Sequence, residues 1–164
     1  MIDKILSDSR YIEKLNKIND IESERYYCKH DLSHSREVVR ILTALSESRE
    51  LNNYEELSAI MGYLHDIGYE FGINENHNVI GGNLLKGSNY KYWQEVYYHG
   101  IPNSEYKSLY LDILNTADMM IDKYGNDVGF DKRLENIKKR YGEDSIQYIN
   151  SFKIINELKG DNYE

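Results

Sequence analysis

The chain has 164 residues, 40% hydrophobic and 29% charged, a composition typical of a globular protein with a single core. A formal net charge of −8 disfavours general binding to a nucleic-acid backbone, and a lone cysteine, Cys28, excludes an internal disulfide framework. Because mean hydropathy is −0.71 and no long apolar run occurs, we expect no membrane span and no signal peptide, with the cytoplasm as compartment.

The spacing of hydrophobic residues predicts a helical protein. They recur three and four positions apart, and Pro102 is the only proline in the sequence. The predicted helices cover residues 2–18, Ser33 to about Arg49, Asn53 to about Asp66, His77 to Lys86, Tyr90 to His99, about Glu105 to Tyr124, 131–140 and 144–159. With no repeat and no linker, we expect one all-α domain over residues 1–164, in which 126–164 serve as helical packing.

Several ionisable residues fall on the hydrophobic faces of these helices. His34 lies four and seven residues before Val38 and Ile41, and Asp118 lies four residues after Leu114. The full set is His34, His65, Asp66, His77, His99 and Asp118. One such histidine is more often a hydrogen-bonded core residue, and one such aspartate is more often a cap or an ion-pair partner. The combination favours a metal site, because a buried carboxylate is costly unless it is paired, protonated or bound to metal.

The order of these residues matches a known family. The chain resembles the HD-domain superfamily of metal-dependent phosphohydrolases over about residues 30–125. The matching segments are HSREVVRIL, LHDIG, HNVIGGNLL, VYYHG and LNTADMMID. It is most similar to small bacterial HD hydrolases, including those that cleave diadenosine tetraphosphate. The resemblance implies a compact helical bundle that holds two divalent transition-metal ions, either Fe, Mn, Zn, Ni or Co. It implies one ion on His34, His65, Asp66 and Asp118, a second on His77 and His99, Asp66 as the bridge, and His65 and Asp66 as the catalytic pair.

The activity implied by this resemblance is hydrolysis of a phosphoester or phosphoanhydride bond in a nucleotide or dinucleotide, through a hydroxide activated by the two metals. Two alternatives stay open: an HD-fold di-iron oxygenase, which would use the same ligands, and a metal-stabilised nucleotide-binding regulatory module without turnover. The expected partner is a small phosphorylated molecule, with no nucleic-acid polymer and no membrane. A homodimer also stays open.

One departure from the family concerns charge at the substrate. Many members have Lys after the HDIG segment, where this chain has Tyr69. The candidates for substrate binding are therefore Tyr69 itself and the basic residues Arg36, Arg40, Lys86 and Lys91, each of which is also readily explained as a solvated surface charge. We favour Arg36, with Arg40 as second choice, because a guanidinium can bind phosphate with two parallel hydrogen bonds. Gly81 and Gly82 are expected to permit close approach of two helices.

Overall fold

A computed structural model of the chain describes residues 32–51, 61–62, 64–66, 68, 77–87, 89–122 and 124–160. The helices are α1 (Leu32–Ser48), α2 (His77–Gly87), α3 (Trp93–Tyr98), α4 (Leu109–Met120), α5 (Gly129–Tyr141) and α6 (Ile146–Gly160). Residues 61, 62 and 64 are also helical and lead into a turn at 65–66. Within these ranges there is no strand, only an isolated bridge between Ile121 and Asp127, so the all-α class is confirmed. No helix in them is long and apolar enough to cross a membrane.

Four of the predicted helices have close counterparts in the structure. They are α1, α2, α5 and α6, whose ends lie within two residues of the expected positions. The predicted helix over 2–18 lies outside the described residues, and the helix predicted from Asn53 is seen only near its end, which does fall next to Asp66.

Two predicted helices are longer than the observed ones. The helix expected from Tyr90 begins at Trp93, because Asn89 adopts a left-handed conformation (φ 60°) and Tyr90 donates its backbone N–H to Leu85. The helix expected over 105–124 is α4, which begins after Ser108 and ends at Met120. Ser108 is extended and its side chain accepts a hydrogen bond from the Leu111 backbone N–H, which caps the helix.

Helix α4 is at the centre of the packing. Its inner face contacts α1 through Val38 and Leu42 against Ile113, Leu114 and Ala117. Its other sides contact α3, α5 and α6, and α2 packs along α3. This arrangement places the end of α4, the start of α2 and the end of α3 in one region of the molecule.

The approach of α2 to α3 depends on a small residue. A Cβ atom added at Gly82 would lie 2.6 Å from the Tyr97 Cα atom, closer than real side chains come. The expectation that this glycine permits close helix packing is therefore confirmed for Gly82.

Candidate metal centre

Three parts of the chain bring together the first group of candidate ligands. His34 projects from α1, Asp118 from α4, and His65 and Asp66 from the turn between them. His34 Nε2 lies 3.1 Å from Asp118 Oδ1, and His65 Nε2 lies 3.4 Å from that oxygen and 3.1 Å from Asp66 Oδ2. All four side chains are buried. Each offers one ligand atom, and these atoms lie within 4.8 Å of one another.

A second group shares Asp66 with the first. His77 is the first residue of α2 and His99 directly follows α3, and their Nε2 atoms are 3.2 Å apart. These atoms lie 3.1 and 3.5 Å, respectively, from Asp66 Oδ1, whereas the other carboxylate oxygen faces His65. The structure thus brings together all six side chains that the sequence singled out, with one oxygen of Asp66 directed toward each group.

Backbone carbonyl groups fix the orientation of three of the imidazoles. The Nδ1 atoms of His34, His65 and His99 lie 2.9, 2.7 and 2.5 Å from the carbonyl oxygens of Asp122, Gly62 and Val96. A carbonyl only accepts, so each Nδ1 carries the proton and each Nε2 presents a lone pair to the centre when the ring is neutral. This is the tautomer that a metal ligand requires.

The charges in the first group are strongly coupled. Burial lowers the pKa of His65, but the carboxylates of Asp66 and Asp118 outweigh it and raise that pKa well above its ordinary value. Burial raises the pKa of Asp118, but its hydrogen bond with His34 and the charge of His65 hold the pKa well below its usual range. The two carboxylates therefore favour a positive charge between them, either a proton on His65 or a cation.

These residues fit a divalent cation. His65 Nε2 is buried and, among the described residues, has no hydrogen bond of good geometry, although two carboxylate oxygens lie close to it. A cation in the midst of these atoms would replace the proton, satisfy both carboxylates and accept the imidazole lone pair. Imidazole and carboxylate together suit Fe, Mn, Co, Ni or Zn.

Gly68 allows the second group to form next to the first. A Cβ atom added there would overlap the backbone carbonyl of His77 and lie 2.7 Å from its Cα atom. Only a residue without a side chain lets the start of α2 pack this close to the turn that carries Asp66. The glycine of the LHDIG segment is thus explained by the position of His77.

The HD-domain family model matches residues 31–146, which covers every candidate ligand. The chain belongs to the HD-domain family. The superfamily is one of metal-dependent phosphohydrolases, and the two groups of His and Asp side chains described above could hold the metal ions. An uncharacterized protein of Clostridium beijerinckii (strain ATCC 51743 / NCIMB 8052) is 33% identical over 97 residues, which cover 56% of this chain and 60% of that protein, less than two thirds of its length. No solved structure matches the chain.

A cavity of about 710 Å³ opens beside the candidate metal centre of this HD-domain protein. His77, His99 and Asp118 form part of its wall, and residues of α5 and α6 form another part. The basic residues on this wall are Lys132, Arg133, Lys139 and Arg140. The cavity is therefore bordered by both the candidate ligands and a group of cations.

Three of the basic residues proposed from the sequence lie away from this cavity. Arg40 is 58% exposed and bonded to Glu37 Oε2 at 2.7 Å, while Lys86 and Lys91 are exposed and lie over the rings of Trp93 and Tyr92. None of the three borders the cavity. The Arg36 side chain and Tyr69 lie outside the described residues, so their roles stay predictions.

The prediction from sequence assigns residues 126–164 to packing alone and so does not single out the cations of α5. A signal was present in the sequence. Arg133 lies three residues after Phe130 and four before Ile137, so it shares the hydrophobic face of its helix just as His34 does. Tyr124 and Tyr141 also border the cavity.

Proposed function

We propose that this HD-domain protein is a dinuclear phosphohydrolase that cleaves a phosphoester or phosphoanhydride bond of a small phosphorylated molecule such as a nucleotide. The observation that carries this proposal is the pair of ligand groups that share Asp66. When bound, two divalent ions would supply an activated water and a Lewis acid for the phosphoryl oxygens. The chain supplies the orientation, the charge balance and the binding cavity.

The charge balance supports an anionic substrate. Asp66 and Asp118 contribute two negative charges, and the imidazoles oriented by backbone carbonyls are neutral when they serve as ligands. Two divalent ions bring about +4, so the loaded centre has a net positive charge. A phosphate group is thereby attracted to this region although the whole chain carries −8.

The same region supplies room for more than the reacting group. A cavity of about 710 Å³ lies within the range in which proteins bind drug-sized organic molecules, roughly 300–1,000 Å³. Its wall combines the hydrophobic Ile101 and Val128 with the amides of Asn136 and Asn150. Such a wall suits a molecule with an organic part, for example a nucleoside, attached to the phosphate.

The proposal is tested with protein from which metal has been removed. Samples reloaded separately with Mn, Fe(II), Co, Ni or Zn are assayed for phosphate release from p-nitrophenyl phosphate, nucleotides and dinucleotides, in the presence and absence of oxygen. We expect metal-dependent release that does not need oxygen. Absence of release with every metal would contradict the proposal, and oxygen consumption with iron alone would support the di-iron oxygenase instead.

Asp122 is expected to orient a metal ligand, His34, without contacting the Nε2 atom that would bind the metal. Its backbone carbonyl orients His34, and its side chain accepts hydrogen bonds of 2.9 Å from the backbone N–H groups of Tyr124 and Asn126. In Asp122→Ala this turn loses its internal acceptor. We expect metal affinity to fall about 10- to 100-fold, as for other residues that orient a ligand, and stability to fall by about 1–3 kcal/mol.

Metal titration and thermal unfolding measure these two effects. Asp127→Ala is the matched control, because Asp127 lies in the same loop and, among the residues that the structure describes, its carboxylate makes only a long 3.9 Å ion pair with Arg40. If the two variants bind metal equally well, Asp122 has no role in the centre.

A further inference from the structure

Arg133 is a buried cation with no role in the hydrolysis proposed above. It lies on α5, is 8% exposed and borders the cavity beside the metal centre. Its Nε atom is buried and has no hydrogen-bond partner, and no ion pair joins it to any residue that the structure describes. The acidic neighbours on its helix face elsewhere: Asp131 pairs with Lys159 at 3.0 Å and Glu135 with Lys139 at 3.1 Å.

We propose that Arg133 forms an anion subsite in this cavity, and that the substrate carries at least two anionic groups, one at the metal centre and one at Arg133. The inference rests on the proposed function and narrows its substrate class to molecules such as nucleoside diphosphates or dinucleotides, in which a second phosphate or other anion is available. A molecule with a single phosphate would leave Arg133 without a partner.

The buried Nε atom of Arg133 lacks an acceptor. Arginine stays charged at any physiological pH, so a buried N–H of its guanidinium that has no acceptor among the described residues is unfavourable. An anion bound in the cavity that Arg133 borders would supply the missing acceptor.

The cavity is locally more basic than the whole chain. The described residues that border it include four basic side chains, Lys132, Arg133, Lys139 and Arg140, against two acidic ones, Asp118 and Asp122. The whole chain has the opposite balance, 20 basic residues against 28 acidic ones. Even with Lys139 paired to Glu135, cations therefore outnumber acidic groups on the wall that includes the candidate ligands.

The size of the cavity also allows a second anionic group. At about 710 Å³ the cavity is large enough for an organic molecule, and the candidate ligands and Arg133 that border it come from different elements of the chain. One phosphate held at the candidate metal centre leaves most of this space open, so a substrate with a second anionic group can also reach Arg133.

The test compares ligands that cannot be hydrolysed. Metal-loaded wild-type protein and Arg133→Gln are titrated calorimetrically with methylphosphonate, which has one anionic group, and with a series of alkane bisphosphonates of increasing chain length. We expect at least one bisphosphonate to bind Arg133→Gln about 10- to 100-fold more weakly than wild type, the loss typical of a charged hydrogen bond. Methylphosphonate affinity should change less than about twofold, because no contact of its single group is lost.

Lys138→Gln is the matched control. It removes one positive charge from the same helix, but Lys138 is exposed, pairs with Glu143 at 3.6 Å and does not border the cavity. We expect it to bind every probe like wild type. Arg133→Lys provides a second variant if Arg133→Gln does not fold: it keeps the charge, lacks the two-pronged donor and should show a smaller loss, again confined to bisphosphonates.

The results separate this inference from the proposed function. If no bisphosphonate is weakened more than methylphosphonate, whether neither changes or both change equally, Arg133 does not form a second subsite. Because the probes are bound and not cleaved, a selective loss supports the subsite even in a protein that releases no phosphate. Conversely, phosphate release with unaltered bisphosphonate binding in Arg133→Gln would keep the hydrolase and overturn the subsite.

Discussion

Replacement of Asp66 by asparagine should remove metal from both ligand groups and reduce turnover at least about 10²-fold, the loss expected when one strongly placed electrostatic group is removed. The reason is its position: one carboxylate oxygen lies 3.1 Å from His65 Nε2 and the other 3.1 Å from His77 Nε2. Asparagine keeps the shape of the side chain but removes its charge and one of its two acceptor oxygens. Metal analysis and phosphate release measure the two losses.

The control for this variant is Asp131→Asn. Asp131 is exposed and pairs with Lys159 on the surface, so the same chemical change there should leave metal content and turnover as in wild type. An Asp66→Asn protein with wild-type metal content and activity would end the assignment of Asp66 as the bridge. Loss of activity with full metal content would limit its role to the reaction itself.

The ligands of the candidate metal centre could be predicted from the sequence because the hydrophobic face of a helix follows from the spacing of nearby residues. His34 and Asp118 share faces with Val38 and Leu114, and those faces are buried against each other in α1 and α4. A polar residue on a buried face is costly unless it is paired. Histidines and aspartates on the hydrophobic faces of several helices therefore indicate that these side chains meet at a common site. Helical periodicity alone does not predict that the ligands form two groups that share Asp66. That prediction came from the family resemblance.

What the sequence did not reveal depends on packing between distant elements. That the carbonyl of Asp122 orients His34 follows from a turn after α4, which no periodicity encodes. The cavity exists because α5 and α6 pack beside α4 and leave space next to the ligands. Arg133 was identifiable as an inward residue, but whether an inward arginine meets a carboxylate or an open cavity is decided only by the tertiary structure.

Replacement of His77 should show that the two ligand groups hold separate metal ions. In His77→Gln we expect the metal content to fall from about two ions to about one per chain, and turnover to fall at least about 10²-fold, because in-line displacement between two ions requires both. His77 suits this test since its side chain is 18% exposed, so its replacement disturbs the packing less than that of the fully buried His34. Asn83→Ala, an exposed position on the same helix, controls for changes in α2.

Metal analysis alone does not reveal which ion is lost, so the remaining ion is examined by electron paramagnetic resonance of manganese-loaded protein. Two ions bridged by Asp66 give a coupled signal, and a single ion on His34, His65, Asp66 and Asp118 gives an isolated one. The geometry requires the isolated signal in His77→Gln, because these four side chains keep their contacts without His77. A coupled signal that persists would exclude His77 as a ligand, and loss of all manganese would show that the first group cannot hold an ion without the second.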